Sequence, residues 1–61
     1  MKMYDVIRMT KDYPEEKLVK GQIGTILEIY NADNFEVEFC DDNGFTIYLG
    51  TLSKEWFELL D

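Results

Sequence analysis

The chain has 61 residues, of which 46% are apolar and 15% aromatic, so it can fold as one small domain but is too short for a deep substrate cleft. It contains no histidine and one cysteine, Cys40, which excludes an intramolecular disulfide, a zinc site of the usual Cys/His spacing and any histidine-dependent catalytic triad. The net charge of −7 is uneven, because residues 1–20 hold five bases and four acids whereas residues 21–61 hold one base and nine acids.

Short runs of Val, Ile, Tyr and Phe, separated by Gly, Asn and Asp, indicate a β protein. The first strand is predicted over residues 3–10, where apolar side chains occur on both faces. A long loop follows over residues 11–21. Tyr13-Pro14 marks a turn within this loop, because proline fixes its own φ and restricts the residue before it.

The second strand is predicted over residues 22–30, and Gly24 within it indicates a bend, a bulge or a close approach of the backbone. A hairpin turn over residues 31–34 leads to the third strand, residues 35–40, where the alternation predicts one core face and one solvent face. The core face holds Phe35, Val37 and Phe39, and the solvent face holds Glu36, Glu38 and Cys40.

Asp41-Asp42-Asn43-Gly44 predicts a second hairpin turn, in which Asn-Gly supplies the positive φ angles. The fourth strand is predicted over residues 45–50, with Phe45, Ile47 and Leu49 alternating with Thr46 and Tyr48. Ser53 is expected to cap one helical turn that contains Glu55 and Trp56 and leads into a brief closing strand around residues 57–60.

These elements predict an all-β fold for residues 1–61, a small five-stranded SH3-like barrel with a short helical turn before the last strand. Closure of the sheet removes exposed edges that would otherwise invite aggregation. The structural alternative is a split hairpin sheet packed on a C-terminal helix.

Several segments that together cover most of the chain form an ordered pattern: Asp5–Arg8, Pro14–Glu16, Lys20–Ile26, Phe35–Phe39, Asp41–Gly44 and Thr51-Leu52. In their order and spacing they resemble the DUF4926 family, a group of small bacterial domains of unknown function. The resemblance implies an SH3-like barrel. The Gly21–Ile26 stretch is also loosely similar to the KOW-type barrels of ribosomal and transcription proteins. No activity is implied, because the family offers no catalytic residues to carry over.

Acidic side chains of the third strand and its neighbours predict a binding face. Such a surface repels phosphate backbones and attracts a cationic partner. We therefore expect no enzyme, no cofactor and no metal, but a protein-binding module that covers a basic partner in the manner of an antitoxin or an immunity-type inhibitor. A tyrosine would serve as its aromatic anchor. The predicted partner-binding residues are Glu28, Glu36, Glu38, Asp41, Asp42, Tyr30 and Tyr48.

Several alternatives stay open at this point. The acidic face is also explained as a solvated surface that keeps a small protein soluble. A KOW-like barrel would contact nucleic acid or ribosomes through a basic strip, although the acidic balance argues against nucleic acid. An accessory subunit of a larger complex, and self-association through an open sheet edge, are further alternatives. The strip would consist of Arg8, Lys11, Lys17 and Lys20.

Two other sites are weighed and found weaker. An aromatic groove for a proline-rich peptide would need Tyr13, Tyr30, Tyr48 and Trp56 together. The residues 41–44 lack the further oxygen ligands of a calcium loop, so turn chemistry explains them better. No apolar run approaches the roughly 20 residues that span a bilayer, and Asp5 interrupts the N-terminal segment, so we expect no membrane partner and a cytoplasmic location.

Overall fold

The computed structural model describes residues 1–60 as five antiparallel strands in one sheet, with two short 3-10 turns. The strands are β1 (Val6–Met9), β2 (Ile23–Ile29), β3 (Asn34–Cys40), β4 (Thr46–Ser53) and β5 (Phe57–Leu59). Their order in the sheet is β4-β3-β2-β1-β5. The 3-10 turns span Pro14–Glu16 and Lys54–Trp56, so the predicted all-β fold is confirmed and the alternative with a C-terminal helix is wrong.

The sheet is curled rather than flat. The molecule measures 28 × 22 × 21 Å, so its three extents are similar, whereas one flat sheet would be much thinner in one direction. The second 3-10 turn joins β4 to β5, the two outermost strands, and this arrangement is consistent with a small SH3-like barrel.

Element boundaries differ from the prediction mainly at β1 and β4. The strand predicted from residue 3 begins at Val6, because Tyr4 adopts a left-handed φ of 70° that interrupts an extended backbone. β4 begins one residue later than predicted and continues to Ser53. There the Ser53 Oγ accepts a hydrogen bond from the Glu55 N–H at 3.4 Å, so the predicted cap is confirmed.

The core lies on the concave side of the sheet. Side chains from the five strands and from the long first loop fill it, and no polar or charged residue of the described chain is buried. The predicted inward face of β3 is confirmed. The buried residues are Ile7, Met9, Leu18, Ile26, Phe35, Val37, Phe39, Leu52 and Phe57.

Gly24 lies beneath the ring of Phe39. A Cβ built on Gly24 would come within 2.7 Å of two ring carbons of Phe39 and 2.8 Å of the Glu38 carbonyl oxygen. The glycine therefore provides a close approach, whereas the bulge in β2 falls between Ile26 and Glu28. A bend, a bulge or a close approach of the backbone was expected at Gly24, and the structure shows the close approach.

β4 combines a buried side chain, Leu52, with exposed apolar side chains nearer its start. Tyr48 is paired with the buried Phe39, and the two rings meet edge to face at 6.2 Å. The neighbouring apolar side chains are exposed, Phe45 by 70%, Ile47 by 50% and Leu49 by 57%. The strict alternation predicted for residues 45–50 is wrong, because a register shift against β3 puts Thr46 beside Glu38 on the side away from the core, opposite to Tyr48.

Candidate functional site

The convex side of the sheet carries the predicted acidic residues of β2 and β3. Directly opposed residues of antiparallel strands point to the same side, so the register places Thr25 and Leu49 beside Glu38. The same register places Glu28 and Thr51 beside Glu36. We call this surface the outer face, and it comprises Thr25, Glu28, Glu36, Glu38, Leu49 and Thr51.

Glu28 and Glu36 are direct cross-strand partners, an arrangement in which like charges destabilise a sheet. Tyr30 lies beside them and its Oη donates a hydrogen bond to Glu36 Oε1 at 2.9 Å. This hydrogen bond is the main reason that the pKa of Tyr30 is raised above its usual value, and the negative charge of Glu36 acts in the same direction. The structure thus places Tyr30 beside Glu36.

Glu38 is half-buried in the middle of β3. Its Oε2 accepts a hydrogen bond from the Thr46 Oγ1 at 2.6 Å, which fixes the carboxylate over β4. The exposed Leu49 is its cross-strand neighbour. A negative charge and an apolar side chain are therefore presented side by side.

The two aspartates after β3 play different parts. Asp41 Oδ1 accepts hydrogen bonds from the backbone N–H groups of Asn43 and Phe45, both at 2.9 Å, so this carboxylate organises the turn. Gly44 completes the turn with a φ of 86°. Asp42 is exposed, and its side chain makes no hydrogen bond with any of residues 1–60. The predicted position of the hairpin turn is confirmed, but the positive φ predicted for Asn43 is wrong, because within this turn Gly44 alone has one.

None of the five predicted acidic residues forms an ion pair within residues 1–60. The two ion pairs in this part of the chain are Arg8–Glu58 at 2.6 Å and Lys54–Asp33 at 3.3 Å. The negative charge of the outer face and of the adjoining turn is therefore not neutralised by the protein's own basic side chains.

Tyr48 is not brought to the outer face. Its ring lies on the core side of β4, and its Oη donates a hydrogen bond to the Thr51 carbonyl oxygen at 3.2 Å. Burial is the main cause that raises the pKa of its hydroxyl, followed by the charge of Glu16. Of the two tyrosines predicted as anchors, Tyr30 alone accompanies the carboxylates.

Three of the four aromatic side chains considered for a peptide groove, Tyr13, Tyr48 and Trp56, pack against the core, whereas Tyr30 lies beside Glu36. Tyr13 and Trp56 stack with their ring centroids 4.0 Å apart and their planes 5° from parallel. Lys11 Nζ lies 4.5 Å from the centre of the indole. Trp56 is thus contacted by both Tyr13 and Lys11 within the protein.

The basic residues of the first loop region are partly engaged. Arg8 donates two hydrogen bonds to Glu58 Oε2, at 2.6 and 2.9 Å, across the β1–β5 pair. Lys11 covers the indole of Trp56. Two members of the predicted basic strip therefore have partners within the chain.

The exposed apolar side chains next to the acidic residues were not among the predicted site residues. Phe45, Ile47 and Leu49 lie at or beside β4, and Ile23 begins β2. A sequence signal existed, because residues 43–53 contain no charged residue directly after two aspartates. That signal does not reveal which side of β4 is exposed.

Within the described residues no group of three or more His, Cys, Asp or Glu side chains is placed to hold a metal ion. Cys40 is a free, exposed thiol at the end of β3, on the side predicted for it. No helix in residues 1–60 is long and apolar enough to cross a membrane.

The fold and the face define a small all-β domain with an acidic, partly apolar sheet surface. Comparison with known families identifies it further, because residues 3–59 match the domain of unknown function DUF4926. The chain belongs to this family, which confirms the resemblance seen in its sequence. Neither the curated proteins nor the solved structures gave a significant match.

Proposed function

We propose that this protein is a non-enzymatic binding module whose outer face docks onto a basic protein, in the manner of an antitoxin or an immunity-type inhibitor. The observation that carries the proposal is the arrangement of the outer face. Glu28, Glu36 and Glu38 have no ion-pair partner in the described part of the chain, residues 1–60, and the exposed Leu49 lies directly beside Glu38.

The energetics favour a cationic partner. The direct opposition of Glu28 and Glu36 costs stability in the free protein, and a partner's positive charge would offset this repulsion. Complementary charge also accelerates association, an effect that falls as salt screens charges over a Debye length of about 8 Å. The proposal therefore includes fast, salt-sensitive binding.

Exposed apolar side chains beside the carboxylates would add hydrophobic contact to the attraction between charges. Interfaces combine an apolar centre with a polar rim, and tyrosine is frequent among the residues that dominate binding energy. Leu49 and Tyr30 are more than half exposed and flank Glu36 and Glu38. They are suited to form the dehydrated centre of the contact.

The experiment is capture from native lysate on tagged protein, washed at low and then at high salt, with mass spectrometry of each eluate. A basic protein that is retained at low salt and released at high salt is the expected result. Retention of RNA or ribosomal proteins instead would contradict the proposal and support a KOW-type role. A partner whose retention ignores salt would also contradict it.

A further inference from the structure

A groove adjoins the outer face at the end where β3 runs into its hairpin turn. It has a volume of about 580 Å³ and lies between the start of β2 and the β3–β4 turn. Its apolar wall consists of Val19, Ile23 and Ile47, each about half exposed. Asp41 and Asp42 line one side of it.

The groove is shaped by local features of the backbone. The register of β3 with β4 shifts between Phe39 and Cys40 and leaves Ile47 as an extra residue in β4. Such a bulge redirects side chains, and here Ile47 lines the groove together with Cys40. On the opposite side, Gln22 Oε1 accepts a hydrogen bond from the Val19 N–H at 3.2 Å, which ties the loop to β2.

The charge and the apolar surface of the groove together indicate which kind of side chain would bind there. The Asp41 carboxylate is held by two backbone N–H groups through Oδ1 and leaves Oδ2 for a ligand. Among residues 1–60, neither Asp41 nor Asp42 has an ion-pair partner. An arginine side chain combines an apolar stem with a planar guanidinium that pairs with carboxylates. Val19, Ile23 and Ile47 match the stem, and the aspartates match the head.

We propose that this groove receives an arginine side chain of the basic partner, with its stem on Val19, Ile23 and Ile47 and its guanidinium beside Asp42 and Asp41. The inference rests on the proposed function, because the partner's basic surface supplies the arginine. It adds the identity of one anchoring side chain and the place where it binds. Lys20 also lines the groove, so its positive charge opposes the incoming guanidinium.

The probe is the peptide acetyl-Gly-Arg-Gly-amide, titrated into ¹⁵N-labelled protein and followed by two-dimensional NMR. We expect saturable shifts at the amides of Val19, Ile23 and Ile47 and of the neighbouring Asp42. The citrulline peptide, which keeps the shape and lacks the charge, should bind more weakly, and the lysine peptide should lie between the two. Equal binding of the arginine and citrulline peptides would overturn the proposal.

Single substitutions test whether Asp42 and Lys20 affect binding of the arginine peptide in the groove. Asp42→Asn should weaken binding of the arginine peptide about two- to fivefold, as expected for loss of one exposed charge pair. Lys20→Gln should strengthen it by a similar factor. Glu55→Gln is the matched control, since it makes the same charge change on the second 3-10 turn, away from the groove. A Glu55→Gln effect as large as that of Asp42→Asn would mean a general charge effect and would overturn the proposal.

The peptide titration tests the groove assignment and the capture experiment tests the proposed function, so each can be refuted without the other. Saturable arginine binding at the groove, with no salt-released basic protein in the capture experiment, would remove the proposed function and leave the groove assignment in place. Capture of a basic protein together with peptide shifts confined to Glu28, Glu36 and Glu38 would overturn the groove assignment alone.

Discussion

Replacing Gly24 with alanine should destabilise the protein because its new methyl group has no room. The nearest ring carbons of Phe39 would lie 2.7 Å from the added Cβ, whereas favourable carbon–carbon contacts lie at about 3.5–4.0 Å. Phe39 is fully buried, and the Glu38 carbonyl oxygen at 2.8 Å belongs to the backbone of β3. Neither neighbour can move by about 0.8 Å without disturbing the core or the sheet.

The magnitude follows from two opposing effects. Overpacking in a core destabilises a protein by about 1–3 kcal/mol. Replacing glycine by alanine also restricts the unfolded chain, which stabilises the folded state by about 0.4–1 kcal/mol. We expect a net loss of about 1–2 kcal/mol in the free energy of unfolding. For a domain of this size that corresponds to a fall in Tm of about 5–15 °C.

Urea unfolding followed by the fluorescence of Trp56, the only tryptophan, measures the loss directly. The double variant Gly24→Ala/Phe39→Leu is the informative control, because the smaller side chain makes space for the methyl group. The two substitutions should be non-additive, with a coupling of at least about 0.5 kcal/mol in the stabilising direction. A Gly24→Ala variant as stable as the parent, or strict additivity, would refute this explanation.

Three further predictions concern a turn, an ion pair and a tyrosine. Gly44→Ala should lower the free energy of unfolding, measured with urea, by about 1 kcal/mol, because alanine disfavours the φ of 86° at this position. Steric clash would not contribute, since beyond the two chain neighbours no heavy atom lies within 4 Å of an added Cβ. An unchanged free energy of unfolding would argue against this backbone conformation. Glu58→Gln should cost less than about 1 kcal/mol, and less still in high salt, because both partners of the Arg8 pair are about half exposed; a larger, salt-independent loss would contradict this. In an NMR titration of ring-labelled tyrosine, the pKa of Tyr30 should lie above 10 and fall in Glu36→Ala, and an unchanged value would contradict the hydrogen bond. Because the folded pKa is raised, the contribution of this hydrogen bond to stability is complete below pH 10 and is lost as the pH rises through the folded value.

Much of the fold was predictable because local signals agreed with one another. The alternation in β3 gave its inward face of Phe35, Val37 and Phe39, and Asn43-Gly44 located the second hairpin turn. Ser53 located the second 3-10 turn through its capping oxygen. Each of these depends on residues close together in sequence.

What could not be predicted depends on contacts between distant residues. The sequence of β4 offers apolar side chains on both faces, and only its pairing with β3 places Tyr48 and Leu52 inwards and leaves Leu49 exposed. Sequence patterns therefore predicted the acidic members of the outer face and missed the apolar ones, such as Leu49. The groove depends on the bulge at Ile47, which no local pattern indicates.

Charged side chains of the protein act in two different ways: some pair with an opposite charge, and others accept hydrogen bonds from neutral groups. Arg8 and Glu58 neutralise each other across β1 and β5, where the last strand is only three residues long and needs an anchor. Glu36 and Glu38 instead accept hydrogen bonds from neutral hydroxyl groups, which orient the carboxylates without cancelling their charge. Carboxylates that are oriented but not neutralised are what a cationic partner would require.

We propose that the outer face binds a basic protein through Glu36 and Glu38. A decisive experiment compares capture of the salt-released partner by Glu36→Lys/Glu38→Lys with capture by Glu15→Lys/Glu55→Lys. The second pair makes the same change in net charge at exposed positions in the two 3-10 turns. We predict that the first variant loses the partner and that the second retains it. Equal retention by both variants, or equal loss, would contradict the claim.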